Sequence, residues 1–247
     1  MEPQRTDIPY DPRFRNPRYV EQPFAADNAR FMSQVYGWMT GGFCLTAAVA
    51  WNVSGNPALV QAIFGNRVLF WALIIAQLGA VVALSAAINR MSGFTATVIY
   101  LLYAGLTGLT LSGLFLAFTG ASIAQTFLVS GFGFAGLSAV GYLTKRDLGP
   151  VGSFCTMGLF GLVGFALLSM LFPSLMGAGG SFIFAIVGII VFAGLTAYDT
   201  QNIKALNVPG DAASDAGRKK AVFGALTLYL DFINLFLSLL RLTGQRQ

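Results

Sequence analysis

The chain of 247 residues contains no histidine, few charged residues and only two cysteines. Without histidine it lacks the side chain that ordinarily titrates near neutral pH, so any pH sensing must use carboxyl groups. Cys44 and Cys155 lie in apolar runs and do not have the spacing of metal ligands. Because the sequence also offers no pair of nucleophile and base, we expect neither an enzyme nor a cofactor.

Charged residues make up only 10% of the chain, whereas hydrophobic residues make up 55% and the mean hydropathy is +0.68. An ordinary soluble domain is about one quarter charged. The sequence pI of 9.4 does not indicate a nucleic-acid partner, because the basic residues lie in loops between apolar runs. Such cations mark membrane topology and contact anionic lipids. The composition therefore predicts an all-α, polytopic membrane protein embedded in a lipid bilayer.

Seven apolar runs follow a polar segment, and each is long enough to cross a hydrocarbon core of about 30 Å as a helix. We predict a disordered polar tail over 1–30, which holds five of the nine prolines. A seven-helix transmembrane domain should occupy 31–247. The predicted spans are 31–53, 68–88, 94–118, 122–143, 151–172, 182–206 and 221–241.

The distribution of Lys and Arg predicts the orientation of the chain. With seven spans, twelve of the fifteen basic residues fall on the side of the N-terminal tail. The tail is therefore predicted to be cytoplasmic, and the style of the loops and tail favours a bacterial inner membrane. The last run could instead be re-entrant: the charge rule mildly favours that alternative, whereas the length of the run favours a full span.

Small residues recur in several of the apolar runs. Gly131, Gly133 and Gly136 match the GxGxxG pattern, but they lie inside a continuous membrane helix and not at the strand-to-helix turn that a dinucleotide site requires. Close packing between helices is the expected role of these glycines, and of Gly105 with Gly108 and the series 158, 161 and 164.

Two acids lie within apolar runs, Asp199 in the sixth and Asp231 in the seventh. An ionisable group at membrane depth is costly and usually has a function. Counted from the cytoplasmic ends of their helices, the two acids lie about 10 and 15 Å deep, and on antiparallel neighbours they can face each other. Two carboxyl groups that close would share one proton. The alternative is a hydrogen-bonded pair that only joins the two helices.

Arg90 ends the second predicted span on the same side as the two acids. Its side chain is long enough to enter a cavity and pair with an ionised carboxylate. It could equally extend to the lipid headgroups, and position alone does not decide between the two.

Four segments resemble the Bax inhibitor-1 (transmembrane Bax inhibitor motif) family and its bacterial members. The most specific are AYDTQNIK at 197–204 and LYLDFINLFLSLLR at 228–241. GYLTKRDLG at 141–149 and SGLFLAFTGASIAQTF at 112–127 support them. The resemblance extends over essentially the whole chain after residue 30.

The resemblance implies seven helices with the last one central, and a pH-sensitive calcium leak. It implies that Asp199 and Asp231 form a hydrogen-bonded latch and that Arg90 pairs with it, although this segment has a single basic residue where relatives have several. In our hypothesis the shared proton keeps the pore shut, and its loss opens the pair to a passing calcium ion. Nearby polar candidates for a supporting role are Tyr198, Thr200, Tyr229 and Asn234.

Two other functions remain open at this point. Some bacterial relatives are partners of a membrane-bound AAA protease, and then the tail and the loop at 207–220 would carry the activity. A proton-coupled transporter would instead relay protons through the aspartates while a solute moves, and such transporters have broken helices near the midplane. The sequence shows no paired short helices.

Overall fold

The structure, a computed structural model, describes residues 17–208, 210–211 and 214–247, and these residues are almost entirely helical with no β-strand. Single turns of 3-10 helix at Ile88–Arg90 and Pro173–Met176 complete the described elements. The helices are α1 (Pro17–Ser54), α2 (Pro57–Phe64), α3 (Arg67–Ala87), α4 (Gly93–Leu111), α5 (Leu114–Ala117), α6 (Gly120–Leu143), α7 (Gly149–Leu171), α8 (Ala178–Ala205) and α9 (Asp215–Thr243).

Local sequence explains where most of these helices begin. Side chains that accept hydrogen bonds from backbone N–H groups of the first turn precede five of them, and α7 has proline in its first turn, where the missing N–H is not needed. The capping residues are Asn56 before α2, Asn66 before α3, Ser92 before α4, Thr119 before α6 and Ser214 before α9.

Six helical segments of the described chain are long and apolar enough to cross a membrane: α3, α4 with α5, α6, α7, α8 and α9. They correspond to the second to seventh predicted spans, which confirms an all-α polytopic membrane protein. The first predicted span, 31–53, lies within α1, which is long enough but less apolar because it carries side chains such as Gln34, Thr40 and Asn52. The count of seven spans therefore stays a prediction.

The N-terminal helix begins earlier than the sequence predicts. Residues 1–16 of the predicted tail lie outside the described residues, but from Pro17 onward the chain is helical where disorder was predicted up to residue 30. Contacts with the loop between α8 and α9 accompany this extension: Asn207 Nδ2 donates to Asn28 Oδ1 at 2.7 Å, and Gly210 N donates to Asp27 Oδ2 at 2.6 Å.

The last helix is the centre of the bundle, as predicted. Helix α9 packs against α8, α1, α6, α4 and α3. Of its most apolar segment 67% is buried inside the protein, compared with 11–39% for the other five spans. Because the other helices form most of the lipid-facing surface, the side chains of α9 mainly contact neighbouring helices.

The two ends of the bundle are distinguished by their loops. The start of α1 and the connections α3–α4, α6–α7 and α8–α9 form what we call the entry end; the opposite end is the C-terminal end. After α9 the chain pairs with the start of α6 there: Thr119 N donates to Gln245 O at 3.0 Å and Gln247 N donates to Ala117 O at 3.2 Å. Helix α9 is continuous from Asp215 to Thr243 and runs from the entry end to the C-terminal end, which favours a full span over the re-entrant alternative.

Glycines mediate close helix contacts at some of the predicted positions and not at others. A Cβ built on Gly158 would lie 2.6 Å from Val191 Cγ2, and one built on Gly108 would lie 2.7 Å from Thr46 O. By contrast, a Cβ on the GxGxxG glycines meets nothing within 4 Å, and the same holds for Gly105, Gly161 and Gly164. The prediction of close packing is therefore wrong for the GxGxxG glycines, whose helix face is open. The open glycines of that pattern are 131, 133 and 136.

Candidate functional site: a carboxyl pair between the last two helices

The two membrane-depth acids meet between antiparallel helices. Asp199 lies on α8 and Asp231 near the middle of α9, and these two helices pack along most of their lengths. The two carboxyl groups lie close enough to hydrogen-bond to each other. Asp231 is only 5% exposed, whereas Asp199 is partly buried. Because ionised carboxylates have no donor, a hydrogen bond between them requires one proton on the pair.

Protein groups around the pair offer little further compensation for charge. Oδ2 of Asp231 is buried and has no N–H or hydroxyl donor among the described residues. A buried carboxylate without such donors is costly, and a second negative charge next to it is more so. The arrangement is therefore stable with one proton and strained after that proton is lost.

Arg90 is not part of this pair in the structure. It ends the 3-10 turn that follows α3, at the entry end, and its side chain is exposed. Among the described residues it makes no ion pair with an acid. Its exposed side chain agrees with extension to the lipid headgroups. Pairing with an ionised carboxylate remains a prediction for another state of the protein.

The four predicted supporting residues have other partners. The Tyr229 hydroxyl pairs with Thr46 Oγ1 at 2.7 Å, within an aromatic cluster between α9, α1 and α4. Asn234 Nδ2 donates to Leu230 O of its own helix at 2.8 Å, and the ring of Tyr198 packs over Gly152 of α7. Thr200, the residue after Asp199, belongs to a hydroxyl chain described next.

Three hydroxyl groups connect α1, α6 and α8 beside the pair. Thr200 Oγ1 donates to Thr196 O at 2.7 Å, so Ser138 Oγ, 2.8 Å away, donates to Thr200. The Tyr36 hydroxyl, 2.8 Å from Ser138 Oγ, donates in turn to Ser138. Sequence analysis missed Tyr36 and Ser138, because an isolated hydroxyl residue in an apolar helix has no pattern that indicates its partner.

These linked hydroxyl groups predict a specific loss of stability in Thr200→Val, a substitution that keeps the shape of the side chain and removes its oxygen. The buried Ser138 hydroxyl would lose its acceptor, which costs about 1–3 kcal/mol. We expect a lower thermal unfolding midpoint in detergent, whereas Thr200→Ser, which keeps the hydroxyl, should recover most of the loss. Equal midpoints for the Val and Ser variants would contradict the role assigned to this hydroxyl.

The polar residues that follow Asp199 hold the entry end together. Gln201 Nε2 donates to Arg146 O, and Leu148 N donates to Gln201 Oε1, both at 2.9 Å. Lys204 Nζ donates to Tyr142 O at 2.8 Å and lies 4.5 Å from the centroid of the Tyr142 ring. The segment AYDTQNIK therefore combines one member of the carboxyl pair with the attachment of α8 to the α6–α7 loop.

A half-buried ion pair closes the loop before α9. Lys220 Nζ lies 2.9 Å from Asp211 Oδ2, and Ser214 Oγ donates to Asp211 Oδ1 at 3.2 Å. The hydrogen bond from Lys220 holds the pKa of Asp211 below its ordinary value, with the Ser214 bond acting in the same direction.

A lowered pKa in the folded state has a defined sign for stability. The pair should stabilise the loop above the unfolded pKa of Asp211, about 4, and that contribution should be lost as pH falls through the folded value. We expect Lys220→Gln to raise the NMR titration midpoint of the Asp211 carboxyl towards its ordinary value, with Lys219→Gln as the control. An unchanged midpoint in Lys220→Gln would show that the ion pair is not formed in solution.

Comparison with known proteins agrees with this architecture. The family model described as "Inhibitor of apoptosis-promoting Bax1" matches residues 28–247. The chain is 46% identical over 238 residues to the inner membrane protein YbhL of Escherichia coli, an alignment that covers 95% of this chain and 99% of that protein. It is 42% identical to an uncharacterized protein of Borreliella burgdorferi, over 88% of this chain and 93% of the relative. The chain belongs to the Bax inhibitor-1 family.

Proposed function

We propose that this protein is a pH-sensitive calcium leak channel, with the pair Asp199–Asp231 as its gate. The observation that carries the proposal is the close approach of two carboxyl groups that lie at membrane depth on the two innermost helices, α8 and α9, which pack against each other. Asn, Gln or Ser could join two helices without a titratable group. A pair of acids adds a dependence on pH that a purely structural contact does not need.

The proposed gating step is the loss of the shared proton. With the proton in place, the pair holds α8 against α9. Without it, two negative charges face each other in a site where Oδ2 of Asp231 has no hydrogen-bond donor among the described residues, and repulsion drives the carboxyls apart. Arg90 at the entry end is the cation that could then pair with one of them, provided that the α3–α4 turn moves inward.

The separated carboxylates would provide ligands for a cation in transit. Calcium takes six to eight oxygen ligands, and water and backbone carbonyls would complete the set. Within the described chain no group of three or more acids or cysteines could hold a metal ion. Two carboxylates alone favour brief contact over storage, as conduction requires.

The orientation forms part of the same proposal. The tail and the loops at the entry end carry most of the basic residues, among them Arg30, Lys145, Arg146 and Lys220. By the positive-inside rule this end faces the cytoplasm, and the gate lies on that side of the membrane. The inner-membrane location of YbhL supports a bacterial inner membrane for this chain.

Calcium flux into proteoliposomes loaded with a fluorescent indicator tests the proposal. We expect uptake that exceeds that of protein-free vesicles and does not saturate like a carrier. Saturable uptake coupled to proton movement would favour a transporter. No flux from folded protein would reject the leak. An interaction protein would then be favoured if a membrane protease co-purifies with the full chain and no longer co-purifies after residues 1–16 are removed. That deletion ends before Asp27 and Asn28, which contact the α8–α9 loop.

A further inference from the structure

A long groove separates α1 from α6 on the outer surface of the bundle. Its volume is about 1100 Å³, and Phe134 and Phe232 form part of its floor. On the α6 side half of the lining residues are small, including Gly131, Ala135 and Ala139, and α1 contributes Ala29 and Ala47. The open position at Gly131 therefore has a structural consequence, because a side chain that could fill the gap is absent there.

The groove lies at bilayer depth and is apolar. From Ala29 to Ala47 helix α1 rises about 27 Å, which exceeds the roughly 15 Å of hydrocarbon in one leaflet. An apolar cavity does not hold water, and leaving it empty forfeits the dispersion contacts of its lining. An extended acyl chain from the adjacent leaflet would fill the groove without water and restore the dispersion contacts of its lining.

Cations surround the end of the groove that lies at the entry end. Lys204 Nζ lies over the ring of Tyr142, which lines the groove. Of its three N–H groups, one donates to Tyr142 O, and no other acceptor for Lys204 is found among the described residues. Lys145 follows the lining residue Leu143 by two positions, and Arg30 adjoins Ala29. The neighbouring acid, Asp27, already accepts a hydrogen bond from Gly210 N. Because three cations, Lys204, Lys145 and Arg30, face this one acid, the net charge of these groups is positive.

We propose that the groove between α1 and α6 is a binding site for an anionic phospholipid, with one acyl chain between the helices and the phosphate at Lys204, Lys145 and Arg30. Hydrocarbon gains nothing by leaving the bilayer for an apolar protein surface, so affinity must come from close packing and from the headgroup. The bound acyl chain would lie against Tyr36 and Ser138, which both line the groove. Their hydroxyl groups are linked by hydrogen bonds to Thr200. Occupancy of the site would therefore act on the helix that carries Asp199.

The site is tested by the lipids that the purified protein retains. The full chain is reconstituted in nanodiscs with equimolar phosphatidylglycerol and phosphatidylcholine of the same acyl chains, extracted gently, and analysed by native mass spectrometry. We expect the native protein to retain phosphatidylglycerol preferentially. Lys204→Gln should lower that preference about fivefold, since one cation near an anionic lipid contributes about 1 kcal/mol. Lys219→Gln, at the same end of the bundle, should leave it unchanged.

Two glycine variants provide a matched test of the acyl chain. A leucine at Gly131 or at Gly133 meets no atom within 4 Å at its Cβ, but only Gly131 lines the groove. Gly131→Leu should reduce retained phosphatidylglycerol to the level of phosphatidylcholine, whereas Gly133→Leu should retain it like the native chain. Ala135→Leu repeats the test if Gly131→Leu does not fold.

Three outcomes would overturn the proposal. Equal retention in the two glycine variants would exclude the groove as the site. Equal retention of the two lipids by the native chain would exclude the headgroup contact. A dimer in the mass spectrum that is lost in Gly131→Leu would show that a second copy of this chain occupies the groove instead. None of these outcomes depends on calcium flux, so this site and the channel can fail independently.

Discussion

Replacing either member of the carboxyl pair by asparagine should remove most of the pH dependence of calcium flux. In the native protein, gating by one shared proton can change the leak by as much as about tenfold per pH unit, with more flux after the proton is lost. Asp199→Asn and Asp231→Asn each keep the size of the side chain and a hydrogen bond to the remaining acid, but neither can place two charges between α8 and α9.

The measurement is calcium uptake by proteoliposomes at a series of values from about pH 5 to pH 8, the range over which a coupled carboxyl pair can titrate. Asp147→Asn is the matched control, because Asp147 is an exposed loop acid that caps Gly149 N and lies outside the membrane. Its profile should follow that of the native chain. Flux that keeps its full pH dependence in both pair variants would leave a leak channel and reject this gate.

A single methyl group at Gly141 should have the second large effect, on stability. Gly141 of α6 faces α8 so closely that an added Cβ would collide with the backbone carbonyl of Ala197 and lie 3.0 Å from Thr200 Cβ. A backbone atom cannot move aside as a flexible side chain can, so α6 and α8 would have to separate. We expect Gly141→Ala to lower the free energy of unfolding by about 1–3 kcal/mol, the usual cost of overpacking.

The control for this prediction is Gly133→Ala on the same helix, which meets no atom within 4 Å. Because alanine favours the helix over glycine by about 1 kcal/mol, this variant should be neutral or more stable. Thermal unfolding in detergent, followed by the exposure of the buried Cys155 thiol, distinguishes the two variants. If Gly141→Ala unfolded at the same temperature as Gly133→Ala, α6 and α8 would not approach as closely as the structure shows.

The carboxyl pair was the part of the site that could be predicted from sequence. Asp199 and Asp231 are conspicuous because charge is rare and costly inside apolar runs, and consecutive antiparallel helices bring residues at similar depths together. The supporting residues could not be predicted in the same way. Thr200, Tyr229 and Asn234 were chosen for nearness in sequence, but the direction in which each faces depends on how its helix is rotated in the bundle.

The glycine pattern shows the same limit more plainly. Gly131, Gly133 and Gly141 are equivalent in sequence, as small residues in one apolar helix. In the structure only Gly141 contacts another helix, whereas Gly131 lines an open groove. A small residue permits close approach, and only the arrangement of neighbouring helices decides whether the approach occurs.

Composition and hydropathy by themselves determined the class of this protein, the places where most of its spans lie and the two acids at membrane depth, because the cost of exposing polar groups to hydrocarbon acts on each segment separately. Only the tertiary structure decided four features: the centrality of α9, the close approach of Asp199 and Asp231, the exposed position of Arg90 and the groove beside α6. These features depend on which faces of different helices meet. Segments that are all equally apolar carry little information about that choice.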